Sequence, residues 1–170
     1  MKKLSFSTFL FWFLLLLFSF SGGAYIYYCT AIGPWAFSDS AIYVVSSINW
    51  SEGAGLGYQS VNGAFIPLQH YPPGYSILLG LGNLLFDSPV TSARWIDIIS
   101  FALLIFFGAI LIWKTTRSRL FALCYAFVIL FSYYLVIQYT GVMSEPAAIF
   151  CGSVSLLLLG FHVRNDKKWV

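Results

Sequence analysis

Three short polar stretches interrupt an otherwise apolar chain of 170 residues: Ser38-Asp39-Ser40, His70-Tyr71-Pro72-Pro73 and Ser144-Glu145-Pro146. Each holds a side chain able to do chemistry. A carboxylate such as Asp39 can take a proton from a hydroxyl or hold a divalent cation. Glu145 offers a second carboxylate. His70, with Tyr71 beside it, can donate to a phosphate or relay a proton. Arg94, in Ser92-Ala93-Arg94-Trp95, carries a guanidinium suited to bidentate phosphate contacts. Each of these residues also has a plain structural reading. Asp39 helps to cap a surface helix, where the helix dipole favours a negative charge. Glu145 before Pro146 is an ordinary helix start. His70 decorates a surface, and Arg94 pairs with Asp97 three residues on.

These residues need elements to hold them. Ser38 is positioned to cap a helix from Asp39 to about Trp50. Along it Ile42, Val45 and Ile48 make an apolar stripe suited to a bilayer surface. The prolines at 72 and 73 stiffen the chain and launch a short apolar helix, Gly74–Phe86. The stretch Thr30–Pro73 is long for a connection, but its aromatics argue for an ordered loop lying on the membrane. Gly53, Gly55 and Gly57 follow no strand and open no phosphate-cradling helix, so they read as loop flexibility.

Around this loop the chain is apolar enough to be solvated by lipid. Hydrophobic residues make up 59% and charged residues 9%, against about 25% in soluble domains. The mean hydropathy is +0.82. No dense basic stretch is present, which excludes nucleic acid as the partner. Cys29, Cys124 and Cys151 fit no disulfide framework or metal knuckle and read as small buried apolar residues. Four runs suit transmembrane helices: about 9–29, 90–113, 120–138 and 146–163. Gly74–Phe86 spans only about 20 Å as a helix, short of the roughly 30 Å hydrocarbon core.

Charge then sets the topology. If Gly74–Phe86 does not cross, Lys2, Lys3, Lys114, Arg117, Arg119, Arg164, Lys167 and Lys168 share the cytoplasmic side, leaving only Arg94 outside. Asp39, Glu52, Asp87, Asp97 and Glu145 then lie on the outer side. The expected fold is an all-α polytopic membrane protein forming a single membrane domain, 1–170. It has about four transmembrane helices and interfacial helices in a long first outer loop, about 30–89. The expected location is the plasma (inner) membrane, multi-pass, with the N-terminus cytoplasmic.

In their order and spacing these motifs resemble the N-terminal part of membrane-embedded GT-C glycosyltransferases. The likeness is to the family of protein O-mannosyltransferases and lipid A aminoarabinose transferases. It rests on Ser38-Asp39-Ser40-Ala41-Ile42-Tyr43, Tyr71-Pro72-Pro73-Gly74-Tyr75, Ser92-Ala93-Arg94-Trp95 and Ser144-Glu145-Pro146. Many such enzymes carry two adjacent acids where Asp39-Ser40 stands. The lysine before the proline in aminoarabinose transferases is absent here, so its phosphate-binding role is not implied. The resemblance implies further spans beyond these four and a sugar donor on a polyprenyl phosphate. It implies Asp39 and Glu145 as catalytic acids, and Arg94, His70 and Tyr71 as substrate-binding residues. Arg94 would neutralise the departing phosphate. The resemblance leaves open whether a divalent metal sits beside Asp39. The rival expectation is a non-enzymatic multi-pass subunit of a transporter or envelope assembly complex, with polar groups along a path through its spans.

Overall fold

The computed structural model describes residues 5–86 and 88–166. Lys2, Lys3, Asp87, Lys167, Lys168 and the side chain of Arg164, all part of the charge argument above, lie outside what it describes. About 74% of the described residues are helical. The helices are α1 (Phe6–Cys29), α2 (Ser38–Ser51), α3 (Pro73–Phe86), α4 (Pro89–Thr116), α5 (Arg119–Leu130), α6 (Tyr133–Gln138) and α7 (Glu145–Asp166). Strands β1 (Gly57–Gln59) and β2 (Phe65–Pro67) pair as an antiparallel hairpin inside the long loop.

Among the described residues two helices, α1 and α4, are long and apolar enough to cross a membrane. α4 begins cleanly because the Ser88 hydroxyl accepts from the Thr91 amide and Pro89 follows at the first helical position. It ends at Arg117, in the left-handed region at φ 59°, and Ser118 caps α5 by accepting from Phe121 N–H. α1, α4 and α5 pack around one apolar core that includes Leu15, Ile26, Phe101, Ile105 and Ala126.

The expected single helix over 120–138 is instead two. α5 stops at Leu130, and Ser132 takes an extended backbone before α6 begins. Serine competes for backbone hydrogen bonds and favours such breaks. The bend lets Tyr139 bury completely, its ring 4.9 Å from that of Phe101 and its hydroxyl donating to the Pro146 carbonyl. The cysteine expectation also fails in part. Cys124 and Cys151 are exposed on helix surfaces, and only Cys29 is half-buried.

Contacts between distant residues define two ends of the bundle. At one end Arg119 donates to the Ser7 and Thr8 hydroxyls, so the α4–α5 turn lies beside the start of α1. Lys114 and Arg117 belong to the same turn. At the other end Trp35 N–H donates to Thr140 O and Val142 N–H donates to Trp35 O. That exchange ties the loop after α1 to the segment between α6 and α7.

α2 packs on α3 through a mostly polar face: Ser40, Tyr43, Ser46 and Ser47 are buried. The apolar stripe of Ile42, Val45 and Ile48 is left half-buried or exposed, as expected of a helix that turns its greasy side to lipid. Close approach of α3 depends on Gly80, where an added Cβ would meet the Trp50 ring at 2.6 Å and the Ser47 carbonyl at 3.1 Å.

Candidate functional site

The expected cap of α2 is displaced by one residue. Phe37 stands at the cap, and its N–H donates to the Ser40 hydroxyl. That hydroxyl in turn donates to the Val142 carbonyl at 2.7 Å. One serine therefore finishes the start of α2 and anchors it to the chain entering α7. The consequence is positional: the first turns of α2 and α7, which hold Asp39 and Glu145, are brought together.

Hydroxyls and tyrosine rings together link the two acids. Tyr71 OH donates to Asp39 Oδ1 over a long 3.5 Å, and Ser38 Oγ donates to the same oxygen at 3.0 Å. The Tyr71 and Tyr43 rings meet edge to face at 5.6 Å, and Tyr43 meets Tyr75 likewise at 5.0 Å. Tyr43 OH donates to Ser144 Oγ at 3.0 Å, and Ser144 Oγ donates to Glu145 Oε2 at 3.4 Å. Asp39 is half-buried and Glu145 exposed, so both are open to a substrate.

The phenols here are donors, not bases. Burial pushes the Tyr43 phenol above its ordinary value, against the opposing pull of its bond to Ser144. The negative charges of Glu145 and Asp39 add to that rise. Desolvation and the neighbouring Asp39 carboxylate push Tyr71 up as well. Tyr75 is raised chiefly by burial. Raised phenols stay protonated near neutrality and so remain hydrogen-bond donors.

The other expected site residues stand apart from this cluster. His70 is exposed, and no hydrogen bond joins it to either acid among the described residues. Arg94 reaches back to α1, its Nε donating to Thr30 Oγ1 and one Nη2 to Tyr27 O, both at 3.1 Å. Its guanidinium lies 4.4 Å over the Tyr27 ring. The expected Arg94–Asp97 pair does not form. Asp97 turns into the protein interior, fully buried, and neither carboxylate oxygen has a hydrogen-bond partner. Among the described residues no group of three or more His, Cys, Asp or Glu could hold a metal.

Reasoning from sequence missed Tyr43 and Ser144 as members of the site. Tyr43 follows Asp39 by four residues, which puts both on one helix face. Ser144 directly precedes Glu145. Comparison with family models, with curated proteins and with solved structures finds no match to this chain.

Proposed function

We propose that this chain forms the acid-bearing outer face of a membrane glycosyltransferase, with α1, α4, α5–α6 and α7 as its four spans. The donor is a sugar on a polyprenyl phosphate, and the acceptor is a hydroxyl on the outer side of the membrane. The acceptor oxygen forms a bond to the anomeric carbon as the bond to the phosphate oxygen breaks with inversion. The departing lipid phosphate keeps the electron pair. Asp39 takes the acceptor proton, Tyr71 orients it by donating to its Oδ1, and Tyr43 holds Ser144, which donates to Glu145. Glu145 is the second acid of the cleft.

The observation that carries this reading is the junction of two acids more than a hundred residues apart, through Tyr71, Tyr43 and Ser144. A purely structural cap needs no such line. The test is sugar transfer from a lipid-phosphate donor, measured on the native reading frame in membranes. Asp39→Asn keeps the size and the side-chain oxygen that accepts from Ser38 and Tyr71, and removes the charge. Turnover is expected to fall about 10²- to 10⁴-fold with normal expression. Full transfer by that variant would remove Asp39 from the chemistry and pass the role to Glu145.

One observation favours a non-enzymatic membrane subunit instead. Asp97 is an unpartnered acid buried within α4, and ionisable groups inside spans mark ion or proton paths. The subunit reading expects Asp97→Asn to abolish function. The enzyme reading expects Asp39→Asn to do so and Asp97→Asn to spare turnover.

A further inference from the structure

A groove of about 380 Å³ runs between α1 and α4, lined among others by Phe20, Ala24, Tyr27, Trp95 and Ile99. Its lining side chains are aliphatic or aromatic, and small residues at Gly23, Ala24 and Ala102 give it depth. At one end it meets Tyr27, whose ring both lines the groove and carries the Arg94 guanidinium. Arg94 spends two donors on α1, through Thr30 and the Tyr27 carbonyl. A guanidinium has five N–H groups, so three remain. No carboxylate pairs with it among the described residues. Arg94 is also the only Lys or Arg described at this end, since Lys114, Arg117 and Arg119 lie at the other.

We propose that this groove seats one acyl chain of an anionic glycerophospholipid, with its phosphate on Arg94. The groove follows two helices long enough to span a bilayer, so a chain lying in it is parallel to its neighbours in the membrane. Tyr27 and Trp95 stand at the Arg94 end, the depth at which aromatic belts meet headgroups. A cation with spare donors beside an apolar groove complements a lipid phosphate. A zwitterionic headgroup offers its ammonium as well as its phosphate, and gains less there.

The test uses the intrinsic fluorescence of Trp95, isolated as the difference between the protein and its Trp95→Phe variant. The full chain is reconstituted in phosphatidylcholine vesicles containing either acyl-brominated phosphatidylglycerol or acyl-brominated phosphatidylcholine at equal mole fraction. Bromine quenches only at contact. Trp95 quenching is expected to favour phosphatidylglycerol by about fivefold, the effect of one basic residue against anionic lipid. Arg94→Gln should bring the ratio to one, and Arg94→Lys should keep most of it. Ala24→Phe fills the groove at an exposed position and should weaken quenching by both lipids. If Arg94→Gln fails to fold by circular dichroism, the Lys and Ala24→Phe variants decide. A ratio of one in the unaltered protein overturns the proposal, as does a ratio unchanged in a folded Arg94→Gln. Loss of the preference on adding equimolar polyprenyl phosphate also overturns it, because the groove would then belong to the donor.

Discussion

At the scale of single residues, Tyr43 decides whether two separate acids become one site. Its hydroxyl reaches Ser144 while its ring holds Tyr71 and Tyr75. Tyr43→Phe keeps the rings and removes the bond. The expected loss of thermal stability is about 0.5–1.5 kcal/mol, read from unfolding in detergent with near-normal helicity. A second expectation concerns pH. The Tyr43, Tyr71 and Tyr75 phenols are raised above 10.0 in the folded chain, so above that pH the unfolded chain has already lost protons the folded chain retains. Their stabilisation is complete below pH 10 and fades as pH climbs through the folded values. Unfolding temperatures should therefore be insensitive to these groups between pH 7 and about 9 and decline beyond about 10. Substituting all three by Phe should flatten that alkaline decline. Asp39 and Glu145 were legible in the sequence because an acid beside an apolar run stands out. Tyr43 was not, since a tyrosine among many aromatics gives no sign of its partner. Asp97 was misread for a related reason. Spacing gave it Arg94 as a neighbour, but the helix turned one residue inward and the other back to α1.

At the scale of elements, most helices were legible because apolar runs and caps bound them. α1 and α4 match their expected runs within a few residues, and α3 begins at the second proline. The break between α5 and α6 was hidden because no proline or glycine marks it. The β hairpin was hidden in a loop whose aromatics signalled order without a clear alternation. The junction of α2 with α3 supports a direct prediction. Gly80→Leu places a side chain against Trp50 and the Ser47 carbonyl, and should cost about 1–3 kcal/mol. Limited proteolysis should then cut the segment 30–73 faster than in the unaltered protein, while α1 and α4 stay protected. Equal cleavage rates would mean that α2 does not depend on α3 for its place. A reporter fused after Phe86 should read the same side of the membrane as one placed in the hairpin. A reading from the opposite side would make α3 a span.

At the scale of the whole molecule, the account rests on two ends with different chemistry. Arg119 beside Ser7 marks the basic end, while the acids of α2 and α7 meet at the other. The proposed function requires the acidic end to face outward. That orientation is the one expected where lysine and arginine gather on the cytoplasmic side. Single cysteines at Asn62, in the turn of the β hairpin, and at Thr116, at the end of α4, sample the two ends. Both sites are exposed, and Thr116 avoids the capping serine next to it in the turn. The background lacks Cys29, Cys124 and Cys151. The most direct test is labelling of these variants in intact cells with a membrane-impermeant thiol reagent. The account predicts that the cysteine at 62 labels in intact cells and that the one at 116 labels only after permeabilisation. Labelling at 116 but not at 62 would put the acids in the cytoplasm and contradict it.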